Sequence, residues 1–207
     1  MRAALRALGE TSITAGLILM LFCAYLLWGT GSYTQSQQLL LQRELAAARA
    51  AGERGRLDRI DLGRAVALLS IPRLGPGFRY AIVEGVGADQ LRKGPGHYPG
   101  SALPGQIGNF VVSGHRTTYA APFNRLDELE RGDEIVVDAR EARYTYRVTS
   151  QDVVEPDEVD VLAPVPGKPD IRPIRAYITL STCHPEFSAA QRLIVYGVLK
   201  ETQLRKE

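Results

Sequence analysis

The chain has 207 residues, 23% of them charged, with 25 Lys and Arg against 23 Asp and Glu for a formal net charge of +2. That length holds one domain of ordinary size with residues left for an appendage. A charge so near balance, with the arginines scattered rather than clustered, excludes a nucleic-acid binder built on a basic face.

Met1 to Gly9 carries Arg2 and Arg6, and Glu10 is the first acid. Ile13 to Trp28 then contains no charged residue and closes in Tyr25 and Trp28. With Ser12 and Gly29-Thr30 at its edges, this stretch is long enough to cross a bilayer as a helix. Aromatic residues suit the far interface and the basic N-terminus suits the cytoplasmic side. The expected organisation is therefore a cytoplasmic tail over 1–12, one transmembrane anchor over 13–30, and an extracellular remainder. A cleaved signal peptide is the alternative; the apolar core exceeds the usual length, and Gly29 to Tyr33 offers no clean small-residue cleavage site. Residues 31–64 are read as a stalk, helical from Ser36 onward because of its Leu, Ala, Arg, Glu and Gln, and interrupted at Gly52 and Gly55. Such a segment reads as a spacer that lets a domain swing near the membrane.

From Ala65 the texture changes to short β runs split by Gly and Pro. Val66 to Ile71, Arg79 to Val83, Asn109 to Ser113, Glu134 to Val137, Ala142 to Thr149 and Asp152 to Val154 are the predicted strands. Gly94 to Gly105 is a Gly/Pro-rich loop, Pro122 to Leu129 a short helical or turn element, and Ala163 to Pro173 a long loop. The last two strands, Ala176 to Leu180 and Leu193 to Tyr196, flank a polar turn marked by Pro185, Glu186 and Ser188. Many short strands with little helix read as one closed β-barrel over 65–207.

There are two cysteines. Cys23 lies in the apolar run, where it cannot reach Cys183, so Cys183 is a lone thiol: a buried small hydrophobe or a reactive group. If the last two strands pair side by side, Cys183 at the end of one meets Arg192 at the start of the other. His115 sits at the end of the Asn109 to Ser113 strand. At an ordinary pKa near 8.5 only about 3% of a thiol is thiolate at pH 7, so a nearby cation matters. A histidine carries protons to and from a leaving amine, and an arginine supports a carbonyl oxygen turning into an oxyanion. Together these are the parts that acyl transfer needs.

These residues resemble a known family. Thr179-Leu180-Ser181-Thr182-Cys183 is similar to the TLxTC signature of sortases, and Arg192 opens the next strand as the family's essential arginine does. Asn109 to Thr117 (NFVVSGHRT) resembles the family's histidine motif, and PGHYPGSALPGQ upstream fits as well; the resemblance runs from about Val66 to Thr202. It implies an eight-stranded sortase barrel in which Cys183 attacks the Thr–Gly carbonyl of a sorting signal. A cell-wall amine, commonly a peptidoglycan precursor, then resolves the thioester. His115 would be acid and base, and Arg192 would steady substrate or oxyanion. GHRTTYAAPF, HYPGSALPGQ and CHP look most like class E enzymes of actinobacteria, which are thought to prefer LAxTG over LPxTG. Tyr98 is the candidate for tuning that preference, with Ser181 and Thr182 as further candidate substrate contacts.

No cofactor is implied. The acidic cluster Asp152, Glu155, Asp157, Glu158 and Asp160 could resemble a calcium site but reads better as a solvated loop. His97 is read as hydrogen-bonding locally, and His184 as facing away from the thiol because neighbours on a strand alternate. Arg116 is read as a surface charge or structural ion pair, and Ser113 and Ser181 as strand polar positions rather than nucleophiles. No second apolar span after Leu199 and no lid motif tell against a pilin-polymerising enzyme. The rival readings are another cell-wall thiol transpeptidase or peptidase, and a catalytically silent barrel that binds sorting peptides or assembles pili.

Overall fold

The computed structural model describes residues 2–25, 29–50 and 60–205. Eight strands form a closed barrel in the order β1-β2-β3-β4-β7-β8-β6-β5, where β1 is Ala65–Ser70, β2 Arg79–Glu84, β3 Gly96–His97, β4 Gly108–Ser113, β5 Glu134–Asp138, β6 Ala142–Val154, β7 Ala176–His184 and β8 Gln191–Leu204. The closure is thinnest at β3, which pairs with only Val83 and Glu84 of β2 and with Val112 and Ser113 of β4. Two sequence expectations change. The Gly/Pro loop contains β3, two residues that pair parallel to β2 and antiparallel to β4. The two runs after Ala142 are one strand, β6, with register shifts at Thr145/Tyr146 and Val148/Ser150 against β8; the bulges bend one long strand around the barrel.

Alternation sets what faces the interior. Phe110 and Val112 of β4, Ile178 and Leu180 of β7, and Leu193 and Val195 of β8 are buried in one core with Ile82, Ile135 and Tyr146. The intervening residues of β4, β7 and β8 therefore lie on the outer face, and these three strands are neighbours. The parallel β4–β7 pair brings together segments more than sixty residues apart, in register from Gly108↔Ala176 to Ser113↔Ser181.

The helix α1, Arg2–Ala24, is long and apolar enough to cross a membrane and has no buried residue. Trp28, Gly52 and Gly55 lie outside the described residues. The helix α2, Thr30–Ala50, does not stand off as a spacer. It buries Thr30, Thr34, Gln38, Leu41, Leu45 and Ala48, a stripe at helical spacing. Leu41 and Leu45 form a second core with Ala65, Leu68, Ala81 and Val83 on the outside of β1 and β2. Gln38 acts as an inserted strand residue: its Oε1 accepts from Ala81 N at 2.7 Å, and its Nε2 donates to Ala81 O and Lys93 O at 3.0 and 2.8 Å. Gly94, at φ +155°, makes room for it, since a Cβ there would sit 2.2 Å from Gln38 Nε2.

Candidate active site

The β7–β8 ladder pairs Cys183 directly with Arg192. On the other side of β7, the β4 ladder continues past Ser113↔Ser181 through a Gly114 N–H to Ser181 O bond of 3.0 Å. Two residues beyond Ser113, His115 is thus level with Cys183. Cys183 on β7 therefore lies between its ladder partner Arg192 on β8 and the segment that leaves β4 toward His115, and all three residues are partly exposed.

The sequence GHR is what this corner requires. A Cβ on residue 114 would lie 2.7 Å from the Phe123 ring, so only glycine lets the chain pass beneath that ring into His115. Thr182 Oγ1 donates to Gly114 O at 2.8 Å, tying the two strand ends together from inside. Thr182 is 2% exposed, so a substrate contact through its side chain is not what the structure gives; it braces the histidine corner instead. Ser181 does lie on the outer face beside Cys183. Tyr98 is on the same side, its N–H bonded to Val111 O at 2.9 Å and 38% of its surface exposed.

Below the mouth, Arg116 is buried. Its Nη2 lies 3.2 Å from the Asp127 carboxylate, and its Nη1 lies 2.9 Å from His184 Nδ1 and 3.3 Å from Cys183 O. It forms a structural ion pair with Asp127 and also holds the Cys183 carbonyl and the His184 ring. His97 is also buried, 2.6 Å from Glu84 Oε2 through Nδ1 and 2.9 Å from Ser101 Oγ through Nε2, and stacks on Phe110. That set fastens the turn after β3 on which Tyr98 sits.

The outer face runs from Asn109 and Tyr177 to His115 and Cys183, six residues or about 20 Å at strand rise. Asn109 donates to Val161 O and Ala163 O and accepts from Thr179 Oγ1, so it clamps the long loop between β6 and β7 over one end. There the loop and the turn after β3 border an open pocket of about 570 Å³, lined by Tyr98, Ser101, Asn109, Leu162, Pro164 and Pro173 among others. A cavity of about 770 Å³ lies elsewhere, between α2 and the barrel, and touches none of the three candidate catalytic residues.

Among the described residues, no hydrogen bond joins Cys183 to His115. Among the described residues Arg192 bonds through Nη1 alone, to Ala189 O and Gln191 O at 3.0 and 2.9 Å, and meets no carboxylate. Burial lowers the pKa of His115 below the ordinary histidine value, because imidazolium loses more hydration than imidazole. The folded chain thus takes up this proton at lower pH than the unfolded one. The associated stability is present above about 6.5 and is lost as pH falls through the lowered value. An NMR titration of the His115 ring should give a midpoint below that of a free histidine; a midpoint above it would mean that a thiolate–imidazolium pair forms at rest.

Tyr119 is missed by the sequence reading although it lies in GHRTTYAAPF. Its ring packs against His115, centroids 5.0 Å apart. Tyr119, Ala120 and Ala121 hold φ of 53°, 60° and 42°, a run of left-handed residues at a cost of about 1–3 kcal/mol each. The acidic residues 152–160 are spread between β6 and the following turn, with Glu155 accepting from Gln191 Nε2. No cluster of three or more His, Cys, Asp or Glu among the described residues is arranged to hold a metal.

Comparison with known proteins gives one answer. The Sortase domain family model matches residues 69–200. Sortase SrtE1 of Streptomyces coelicolor is 36% identical over 98% of this chain, and the chain spans about three fifths (59%) of that protein. Sortase D of Bacillus subtilis is 32% identical over 89% of this chain and 93% of its own length. Among solved structures, sortase E from Streptomyces avermitilis is 40% identical with a TM-score of 0.64, covering 70% of this chain and 93% of that one.

Proposed function

Since this chain belongs to the sortase family of cysteine transpeptidases and is closely related to the actinobacterial class E members, we propose that it is a membrane-anchored enzyme that attaches surface proteins to the cell wall. On this reading residues 1–12 are cytoplasmic, 13–30 span the membrane once, and the barrel with α2 is extracellular. An exposed apolar helix such as α1 is costly in water and at home in lipid.

The chemistry is supported by the strand order: Arg192 on β8 pairs with Cys183 on β7, and β4, on the other side of β7, leads two residues past its end to His115. Cys183 gives its thiol proton to His115 as Sγ attacks the Thr carbonyl carbon of an extended sorting peptide, and the Arg192 guanidinium stabilises the oxygen as it becomes an oxyanion. Collapse breaks the Thr–Gly C–N bond, His115 delivers a proton to the leaving amine, and a thioester remains. An acceptor amine, supplied by a peptidoglycan precursor, attacks the thioester and loses a proton to His115; the C–S bond breaks and the thiol is restored. No cofactor enters these steps. With Thr at Cys183, the first residue of a pentapeptide motif lies about 10 Å back along the strands, toward the pocket beside Tyr98. The second motif position falls between them, which supports Tyr98 and Ser181 as substrate contacts.

Intact protoplasts carrying the full chain, given external LAxTG and LPxTG peptides with a short amine, should yield the amide product, with the LAxTG peptide converted faster. Conversion only after lysis contradicts the orientation, and conversion of neither peptide contradicts the reaction.

A further inference from the structure

The left-handed run 119–121 needs something to hold it, since strained backbone persists only where its surroundings over-determine it. Part of the hold is local: Ala121 N–H to Thr118 O, Asn124 N–H to Ala121 O, and Phe123 N–H to His115 O, at 2.9 to 3.0 Å. The rest comes from outside the turn. Thr30, in the first turn of α2, accepts from Tyr119 N through Oγ1 at 3.4 Å. Tyr80 OH donates to Ala120 O at 3.4 Å. The Arg92 guanidinium lies 6.0 Å from the centre of the Tyr119 ring, and the backbone of Arg92 is itself held by Thr34 Oγ1, which donates to Arg92 O at 2.8 Å. Two of these supports therefore trace to α2, the helix that follows on the apolar segment, and the Tyr119 ring in turn packs against His115.

We propose that Tyr119 is a positioning residue for His115, and that the N-terminal turn of α2 keeps Tyr119 in place, so that α2 is a working part of the catalytic unit. The inference rests on the proposed role of His115 and extends it. Without the tyrosine ring against it, the imidazole at the end of β4 gains rotamers and spends less time aimed at the groove; misplacement by an ångström is enough to slow a proton transfer strongly. Its burial, which depresses its pKa, is consistent with a ring covering one face.

Steady-state kinetics of the full chain in detergent micelles, with a sorting peptide and a short amine, separates this from a purely structural role. Activity of the unsubstituted protein tests the proposed function independently. Tyr119→Ala should lower kcat about tenfold with KM unchanged, on the scale of orientation effects, whereas Tyr119→Phe, which keeps the ring, should stay within about twofold. Thr30→Val, close in shape but without the hydroxyl, should lower kcat by about threefold, and the double variant Thr30→Val/Tyr119→Ala should be no slower than Tyr119→Ala alone, the non-additivity expected of groups acting in one chain. Unchanged kcat in Thr30→Val, equal losses in the Ala and Phe variants, or a loss confined to KM would each overturn the proposal. The near-isosteric Thr30→Val keeps the test open should Tyr119→Ala fold poorly.

Discussion

Replacing Cys183 by Ala should abolish cleavage of an LAxTG peptide, a fall of about 10⁴-fold or more, because the acyl group then has no sulfur to pass through. The fold should survive the change. Cys183 is at the end of β7, half-buried and without a hydrogen bond from its side chain among the described residues, and the backbone there stays paired with Arg192 and held by Arg116 through the Cys183 carbonyl. Loss of a single sulfur from such a position removes little packing, so the unfolding midpoint should move by no more than a few degrees, in line with a change of about 1 kcal/mol. Chromatographic separation of peptide and product reads the rate. Cleavage retained in Cys183→Ala would refute the mechanism, since the other cysteine, Cys23, lies in the apolar helix α1.

The second large effect is at Arg192. Its Cα is paired with that of Cys183, its guanidinium is steadied by the carbonyls of the β7–β8 turn, and Nε and Nη2 have no partner among the described residues. A cation fixed beside a thiol, with unused donors and no carboxylate to neutralise it, is arranged for charge that develops during the reaction. Arg192→Ala should therefore lower kcat by about 10²–10³-fold, the scale of losing an oxyanion donor. Arg192→Lys should recover only part of it, because an ammonium lacks the planar fork. Rate constants for formation of the acyl-enzyme, measured in a single turnover, check this. A change in KM alone would assign Arg192 to ground-state binding.

Much of the barrel is legible in the sequence because β-rich runs separated by Gly and Pro leave little else to form. The local signal fails where pairing partners are far apart. Nothing in Asn109 to Ser113 says that β4 lies parallel to β7; only the likeness of the motifs places His115 near Cys183. β3 is hidden because two residues carry no periodicity and they sit in a run, Gly94 to Gly100, dominated by Gly and Pro. α2 hides its buried stripe in another way: Thr30, Thr34 and Gln38 are polar, so the face that docks on the barrel does not look apolar. There the helix is held by hydrogen bonds to backbone groups of Ala81, Arg92 and Lys93 as well as by Leu41 and Leu45. The direction of Thr182 is legible after all. If Cys183 faces the groove, strand alternation turns its neighbour inward, and the hydroxyl of Thr182 is found on Gly114 O. The same alternation turns His184 to Arg116.

The central claim is that the Cys183 sulfur takes over the acyl group of a cleaved Thr–Gly bond. Mass spectrometry of the full chain incubated with an LAxTG peptide and no added amine, followed by proteolytic mapping, tests it most directly. The account predicts a thioester adduct of the LAxT portion on the fragment containing Cys183, discharged when an amine is added. Cleaved peptide with the adduct on another residue, or a Cys183 fragment that stays unmodified while the peptide is consumed, would contradict it.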